Sequence, residues 1–413
     1  MESLTLARLS LLAQLDKNPQ SFAENLYRRT SPFSNDYCYL LNEPDNKNLT
    51  PISGSTGTYY TIENGNLIKV YSLNATESLS IVYQPEPIPA MIQLMSYAPI
   101  CDNYPDLTNL KFIASDRFTN STLINYYLSY LFTRRDTPKL PTILNIYTSN
   151  ICSSPIDNNR SGLQLYEQVD GGTLLNISNN KNFDIYRSKK TVDDGIRLIL
   201  SPTIILSIVQ QVLSTLDYLQ QNFQFAHGHL TVTDIFLSSQ PASFSYSSLN
   251  VNSPFTIKLA NFDTASISLQ LSSGTYRLYN RNWLDDNLIY RSPFIPHIVK
   301  NYYFIPRDYP FRYYERTLSL GIPFYPTFDT YTFIISLLLI PEIYHSVFSS
   351  NLQKLIWDPL WIPEDRFSAF SRLQQLISTR ASNTFETIFD MLREFRLNCS
   401  ITSHLLSLFP SSS

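Results

Sequence analysis

The chain has 413 residues, of which 43% are hydrophobic and 16% charged, and its formal net charge is −3. This composition is sufficient for a folded core, and the small negative charge excludes a general electrostatic attraction to nucleic acid or to anionic membranes. The longest apolar run, from Phe333 to Ile340, is too short to span a bilayer, and the N-terminus lacks the basic start of a signal peptide. We therefore expect an intracellular, cytoplasmic protein without a membrane segment.

The cysteines are widely spaced and form neither a C-x-x-C pair nor a metal-ligand pattern. They are Cys38, Cys101, Cys152 and Cys399. We expect reduced thiols and no metal site from this spacing.

The first 50 residues read as an N-terminal extension. Leucines on one face of residues 3–16 predict an amphipathic helix, which either packs on the body of the protein or docks a partner. Residues 30–51 are polar and interrupted by prolines, and this composition is typical of an extended linker.

A β-hairpin is predicted next. Residues 59–62 and 67–71 are β-rich runs with an Asn-Gly pair between them, a strong short-range hairpin signal. Gly54 and Gly57 precede the first strand, and Lys69 lies in the second. The longer stretch 72–118, rich in proline in its central part, reads as an insertion.

A helix is then predicted over Thr119 to Phe132, followed by strands near 142–148 and 162–168. The second strand leads into Tyr166-Glu167-Gln168-Val169-Asp170-Gly171-Gly172. Residues 176–198 are polar and charged, which favours a surface insertion.

A long amphipathic helix is predicted from Pro202 to Gln221, because apolar residues recur there at helical spacing. It leads through Phe223-Gln224-Phe225-Ala226 into His227-Gly228-His229-Leu230-Thr231-Val232-Thr233-Asp234. After a Ser-rich loop, a short strand ends in Asn261-Phe262-Asp263.

The combined spacing of this helix, this loop and the N-F-D strand resembles the catalytic core of protein kinases, where H-R-D-L-x-x-x-N and D-F-G carry the catalytic base and the metal ligands. The resemblance implies an α+β, bilobal kinase-like fold with a small β-rich N-lobe and a larger helical C-lobe. The amino-acid sequence of this region is also similar to that of kinase-like proteins of large DNA viruses. The implied divisions are an extension over 1–50, an N-lobe over 51–170 with the insertion 72–118, and a C-lobe over 171–413 with insertions 176–198 and 295–325.

Charged positions of the kinase pattern are replaced in this chain. His229 stands for the catalytic Asp, Asp234 for the Asn, and Asn261 for the Asp of D-F-G, while Asn125 stands for the helix Glu that pairs with the lysine. His229 is either a weak base or, as we favour, a hydrogen-bonded loop histidine. The resemblance therefore implies a pseudokinase with no catalytic residues and no bound metal.

Nucleotide binding is a separate expectation. The resemblance assigns a nucleotide site to Gly54, Gly57, Lys69, Glu167 and Val169. Tyr59 and Tyr166 are bulky and narrow this pocket, so we expect at most a weak ATP site and no required cofactor.

The C-terminal part keeps some packing positions of the family. Ser292-Pro293-Phe294 resembles A-P-E without its Glu, and Asp329 matches the helix Asp that binds the backbone of the catalytic loop. Short helices are expected over residues 352–408, around Trp357, Trp361, Phe367, Leu373, Leu376, Ile388, Phe389, Leu392 and Phe395.

The segment from Lys300 to Arg316 is rich in Tyr and Arg, a composition typical of interface cores. Its candidate partner-binding residues are Arg307, Arg312, Tyr313 and Tyr314. The alternatives are packing on the chain's own C-lobe and stacking on single-stranded nucleic acid, which the acidic chain disfavours.

Three functions follow from these expectations. The leading one is a catalytically inactive kinase-like scaffold or regulatory module that binds proteins through its surface. The second is a structural subunit of a virion or large assembly. The third is an atypical ATP-dependent phosphotransferase that uses Lys69, Asp234 and Asp263.

Overall fold

The described part of the chain covers a little more than half of its length. In a computed structural model it comprises residues 17, 50–52, 59–61, 66–73, 82–84, 111–115, 117–132, 143–153, 160–192, 195–228, 230–271, 274–280, 326–379, 388, 391 and 401–409. The predicted helix over 3–16 and the 292–294 motif lie outside it. So do Gly54, Gly57, His229 and the partner-binding candidates Arg307, Arg312, Tyr313 and Tyr314.

The fold is mixed α+β. Its strands are β1 Thr50–Ile52, β2 Tyr59–Thr61, β3 Asn66–Leu73, β4 Val82–Gln84, β5 Lys111–Ser115, β6 Ile146–Ser153, β7 Arg160–Gln168, β8 Arg187–Val192, β9 Gly195–Leu200, β10 Ile235–Ser238, β11 Ala242–Tyr246, β12 Leu249–Ser253, β13 Thr256–Leu259, β14 Ile267–Leu271 and β15 Gly274–Asn280. Its α-helices are α1 Arg117–Leu131, α2 Pro202–Phe223, α3 Pro326–Leu338, α4 Pro341–Phe348, α5 Pro363–Ser378 and α6 Ile401–Leu408. Shorter helical turns lie at Leu174–Asn179, Lys181–Tyr186, Gln353–Trp357 and Asp358–Leu360.

The largest sheet is antiparallel, with strand order β1-β2-β3-β7-β6. The predicted hairpin is confirmed, since β2 and β3 pair with Tyr59 opposite Lys69. On the neighbouring strand β7, Gly162 allows close packing of α1, because a Cβ atom there would lie 2.5 Å from the Phe118 ring. Helix α1 therefore packs directly against the strand that pairs with the Lys69 strand.

The stretch 72–118 contributes two strands to a second sheet, of order β14-β15-β5-β4. Strand β5 pairs in parallel with β15, from Lys111 opposite Tyr276 to Ser115 opposite Asn280. The described part of the expected insertion thus forms two strands of this sheet, immediately before α1. It pairs with the segment that follows Asp263 in the chain.

Helix α2 is the centre of the main hydrophobic core. Pro202 occupies its first turn, and the helix ends at Gln224 in the left-handed conformation, with φ of 49°. Its middle is buried on almost every side, against β12, β13, α3, α4 and α6. This packing delivers the chain into the loop that begins at His227.

The C-terminal helices pack around tryptophans, as the sequence predicts. Trp357 and Trp361 lie 5.2 Å apart between ring centroids and are both buried. The inclusion of Phe367 in this core is wrong, because its side chain on α5 is 80% exposed. Phe389, Leu392 and Phe395 lie outside the described residues.

Cys152 on β6 is disulfide-bonded, in contrast to the expected thiol, and its partner lies outside the described part of the chain. No single helix of that part is long and apolar enough to cross a membrane. Residues 329–338 and 341–348 reach the required length and composition only as a pair, and they are bent by 97°.

Candidate functional site

Lys69 is the centre of the candidate site and is completely buried. Its ammonium group donates to both carboxylate oxygens of Asp263 at 2.8 Å and to the side-chain oxygen of Asn261. The Tyr71 hydroxyl donates to the same carboxylate at 2.8 Å. The lysine therefore has an intramolecular anionic partner in the segment that follows β13.

Burial and charge act on Lys69 in opposite directions. Desolvation lowers the pKa of its ammonium group, and the Asp263 carboxylate raises it part of the way back. The ammonium also lies 4.7 Å from the centroid of the Tyr71 ring and 5.3 Å from that of Tyr59, within the range of a cation–π contact. These contacts replace the water that an exposed lysine would have.

Asn261 connects the lysine to the loop that carries Asp234. It has a left-handed backbone, with φ of 67°, which Asn adopts more readily than most residues. Its amide nitrogen donates to Asp234 at 2.7 Å. The other Asp234 oxygen accepts at 2.9 Å from both the backbone N–H and the hydroxyl of Thr231. Both carboxylate oxygens of Asp234 are thus bound within the protein.

Asn125, which the kinase pattern aligns with the lysine's helix partner, makes different contacts. Its amide nitrogen donates to the carbonyl oxygen of Ser121 at 2.8 Å and to the Tyr166 hydroxyl at 3.4 Å. Its side-chain oxygen is buried and accepts no hydrogen bond among the described residues. Asn125 therefore does not pair with Lys69 as the helix Glu of the kinase pattern does, and Asp263 is the acidic partner instead.

Aromatic side chains pack where the resemblance assigns the nucleotide base. Tyr59, Tyr166 and Phe236 are buried, with the ring centroids of Tyr59 and Phe236 5.1 Å apart and those of Tyr59 and Tyr166 6.0 Å apart. They belong to one cluster with Val169. Burial raises the pKa values of Tyr59 and Tyr166, so both phenols stay neutral.

The stretch from Glu167 to Gly171, which includes two residues of the expected nucleotide site, is fixed by protein groups. Glu167 accepts from Lys258 and from the Asn145 backbone N–H at 2.8 Å, and its own backbone N–H donates to the Asn145 carbonyl. Gly171 donates its N–H to the carbonyl oxygen of Leu237, and a Cβ at Gly171 would lie only 2.4 Å from that oxygen. A glycine is required there by this close approach.

The loop around His227 is held by Asp329, as the resemblance implies. The Asp329 carboxylate accepts from the backbone N–H of His227 at 2.6 Å and of Gly228 at 2.9 Å. Burial raises the pKa of Asp329 to about 8, and these two hydrogen bonds oppose that shift. His229, one residue further on, lies outside the described residues.

The polar side chains of the site are arranged to bind one another more than to bind a magnesium nucleotide. Among the described residues, no group of three His, Cys, Asp or Glu side chains converges on a metal position. Asn261 offers Mg²⁺ only a neutral oxygen, which already accepts from Lys69. We therefore derive no phosphoryl-transfer step through these residues.

The sequence-predicted residues Lys69, Asp234 and Asn261 are joined in one network. Asn125 and Glu167 bind other groups. Tyr71 was not among the sequence-predicted residues, and Asp263 was named only for the atypical phosphotransferase. One sequence signal pointed to the partner of Lys69. Asp263 places a carboxylate at the position where D-F-G has glycine.

No protein-family model matches the chain. Over 277 aligned residues it is 24% identical to a protein of Acanthamoeba polyphaga mimivirus that is named, provisionally, a serine/threonine-protein kinase. The alignment covers 56% of this chain and 37% of the viral protein, so the chain spans little more than a third of that relative. The similarity supports a distant kinase-like relationship, which is compatible with the mixed α+β fold.

Proposed function

We propose that this chain is a kinase-like protein without phosphoryl-transfer activity, which acts as a scaffold or regulatory binding module. The observation that carries the proposal is the buried ion pair between Lys69 and Asp263, 2.8 Å long. A lysine that binds phosphate must present its ammonium to the ligand. Here, that group is bound by Asp263 and Asn261 and is closed off from solvent.

The aromatic cluster supports the same proposal. Adenine binding requires a flat apolar slot, and Tyr59 fills the space between Phe236 and Tyr166. Opening that slot would require moving a buried tyrosine, which costs the apolar contacts it makes. The proposed bilobal kinase arrangement would then have a filled cleft.

Titration with ATP tests this proposal directly. We expect no change in melting temperature of the full chain with millimolar ATP, with or without Mg²⁺, and no incorporation of labelled phosphate. A ligand at one hundred times its Kd would stabilise the folded state by about 2.7 kcal/mol, so a competent site would be visible. A Mg²⁺-dependent shift together with phosphate transfer that Asp234→Ala abolishes would contradict the proposal.

A variant designed to gain ATP binding is the positive control for this titration. Asp263→Gly restores the glycine of D-F-G, and Tyr59→Val empties the base position. We expect the double variant, once circular dichroism has shown that it is folded, to bind ATP more tightly than the wild type. Equal ATP binding by both proteins would mean that these two residues do not block the site.

The atypical phosphotransferase is the second candidate. The observation in its favour is that Lys69, Asp234 and Asp263 belong to one bonded network through Asn261. The ATP titration above separates it from the scaffold. A structural role in a virion or other large assembly is a form of the scaffold proposal, and stable co-purification with one partner would support it.

A further inference from the structure

The stretch around the expected insertion 176–198 concentrates exposed apolar surface. Six large apolar side chains are exposed in the described part of the chain, and three of them lie here. These are Ile185, Ile196 and Leu198, with exposed fractions of 79%, 73% and 43%. Leaving aliphatic groups in water carries a free-energy cost, so such a concentration calls for a partner.

The two aliphatic residues of β9 form a row that starts in the core. Side chains two residues apart on a strand point to the same face. Leu200 is fully buried in the main core, Leu198 is partly exposed, and Ile196 is mostly exposed. The apolar row thus continues outward along the β8–β9 hairpin into solvent.

This hairpin is fixed to the body of the protein at two points, one on α4 and one just after it. Arg187 of β8 forms an ion pair with Glu342 of α4 at 3.1 Å. Lys190 donates to the carbonyl oxygen of Ser349, just after α4, at 2.8 Å. The apolar row is therefore presented on a supported element.

Positively charged side chains lie beside the apolar row of β9. The pairing register places Lys189 opposite Leu198 and Thr191 opposite Ile196, so all four side chains share one face. Between residues 181 and 200 the sequence has five basic and three acidic side chains, although the whole chain has a net charge of −3. Lysines on such a two-stranded sheet repel another basic strand and attract an acidic one.

We propose that the face of the β8–β9 hairpin carrying Lys189, Thr191, Ile196 and Leu198 is the docking surface for an extended acidic peptide segment of a protein partner. Aliphatic side chains of the peptide pack on Ile196 and Leu198, and its carboxylates pair with Lys189. The inference rests on the proposed binding function and names a surface for it. A peptide of this chemistry complements both the apolar row and the charge.

The test uses two synthetic peptides against the full chain, measured by fluorescence anisotropy. One alternates Glu with Val, and the other alternates Lys with Val. We expect the Glu peptide to bind at least tenfold more tightly, and Ile196→Ser/Leu198→Ser to weaken that binding at least tenfold. Phe367→Ser, which removes an equally exposed apolar side chain on α5, is the matched control and should leave binding unchanged.

Charge exchange makes the test independent of folding defects. Lys189→Glu should weaken binding of the Glu peptide and strengthen binding of the Lys peptide. The proposal is overturned if neither peptide binds, or if Phe367→Ser weakens binding as much as the hairpin variant does. It is also overturned if the hairpin variant abolishes only binding to phosphatidylserine vesicles, or only self-association in light scattering.

The peptide-binding experiments and the ATP titration test the two proposals separately. ATP binding or phosphate transfer would overturn the scaffold proposal whatever the peptides do. If neither peptide binds, and the chain also neither binds ATP nor transfers phosphate, only the proposal of the hairpin surface is overturned.

Discussion

The carboxylate of Asp263 and the ammonium of Lys69 are both removed from water, so their attraction must offset two desolvation penalties. The Tyr71 hydroxyl and the Asn261 oxygen supply the further hydrogen bonds that such a pair needs. Removing either member leaves the other charge uncompensated. At the residue scale this pair is therefore a structural element of the site.

We predict that Asp263→Ala lowers the free energy of unfolding by about 3–5 kcal/mol, because Lys69 then stays buried without its counter-charge. The double variant Lys69→Met/Asp263→Ala should lose less than the sum of the two single variants. Urea unfolding at neutral pH measures all three values. Strictly additive losses would mean that the two side chains do not interact.

A second residue-scale prediction concerns pH. Burial raises the folded-state pKa of Asp329 to about 8, above its value of roughly 4 in an unfolded chain. Between these values the folded state holds a proton that the unfolded state has lost, so stability from this group is complete below about pH 4 and is lost as the pH rises to 8.

Asp329→Asn removes that titration while keeping the shape of the side chain. We expect the stability difference between wild type and Asp329→Asn to change in favour of the variant between pH 5 and pH 8, in unfolding measured by circular dichroism. Parallel profiles would show that the two backbone N–H donors keep the carboxyl ionised throughout.

At the scale of elements, the parallel pairing of β5 with β15 joins the stretch before α1 to the segment after Asp263. Strand β5 is interior, since β4 pairs on its other side. Asn120 on α1 adds to this connection by donating to the carbonyl oxygens of Phe262, Asp263 and Ala265. The stretch 72–118 therefore supports the site from outside it.

We predict that Ile113→Pro destabilises the fold by about 3 kcal/mol or more, because proline cannot donate to the ladder of an interior strand. Ile113→Ala keeps the backbone N–H and is the control. Hydrogen exchange of residues 274–280 should accelerate only in the proline variant. Equal exchange in both variants would argue against the parallel pairing.

At the scale of the whole molecule, the proposed binding function requires a surface that contacts a partner, and we have proposed two such surfaces. The first is the face of the β8–β9 hairpin that carries Ile196 and Leu198. The second is the Tyr- and Arg-rich segment from Lys300 to Arg316. That segment lies outside the described residues, so its role in binding stays a prediction. The two surfaces make separate predictions, because their chemistries differ.

Replacing Arg307, Arg312, Tyr313 and Tyr314 together by Ala should reduce partner capture at least tenfold while the melting temperature changes by about 2 °C or less. Rigid aromatic and guanidinium groups dominate binding energy at interfaces, which is the reason for the expected size. Co-purification from the native source, compared with the hairpin variant, measures the effect. Unfolding of the variant would instead place these residues in the core.

The sequence by itself determined the elements whose signals are local. The Asn-Gly hairpin, the amphipathic helix α2 and the Asp329 anchor follow from turn chemistry, helical periodicity and motif spacing over short distances. It also determined which charged residues of the kinase pattern are absent from the motifs that resemble it, because residue identity needs no coordinates.

Only the tertiary structure decided how distant residues meet. Lys69 and Asp263 are 194 positions apart, and β5 and β15 are separated by more than 150 residues. No periodicity encodes such pairings, since they depend on the packing of the whole core. The exposure of Phe367 and of the row on β9 was likewise decided by what the rest of the chain covers, because a side chain's burial is a property of its neighbours and not of its own sequence.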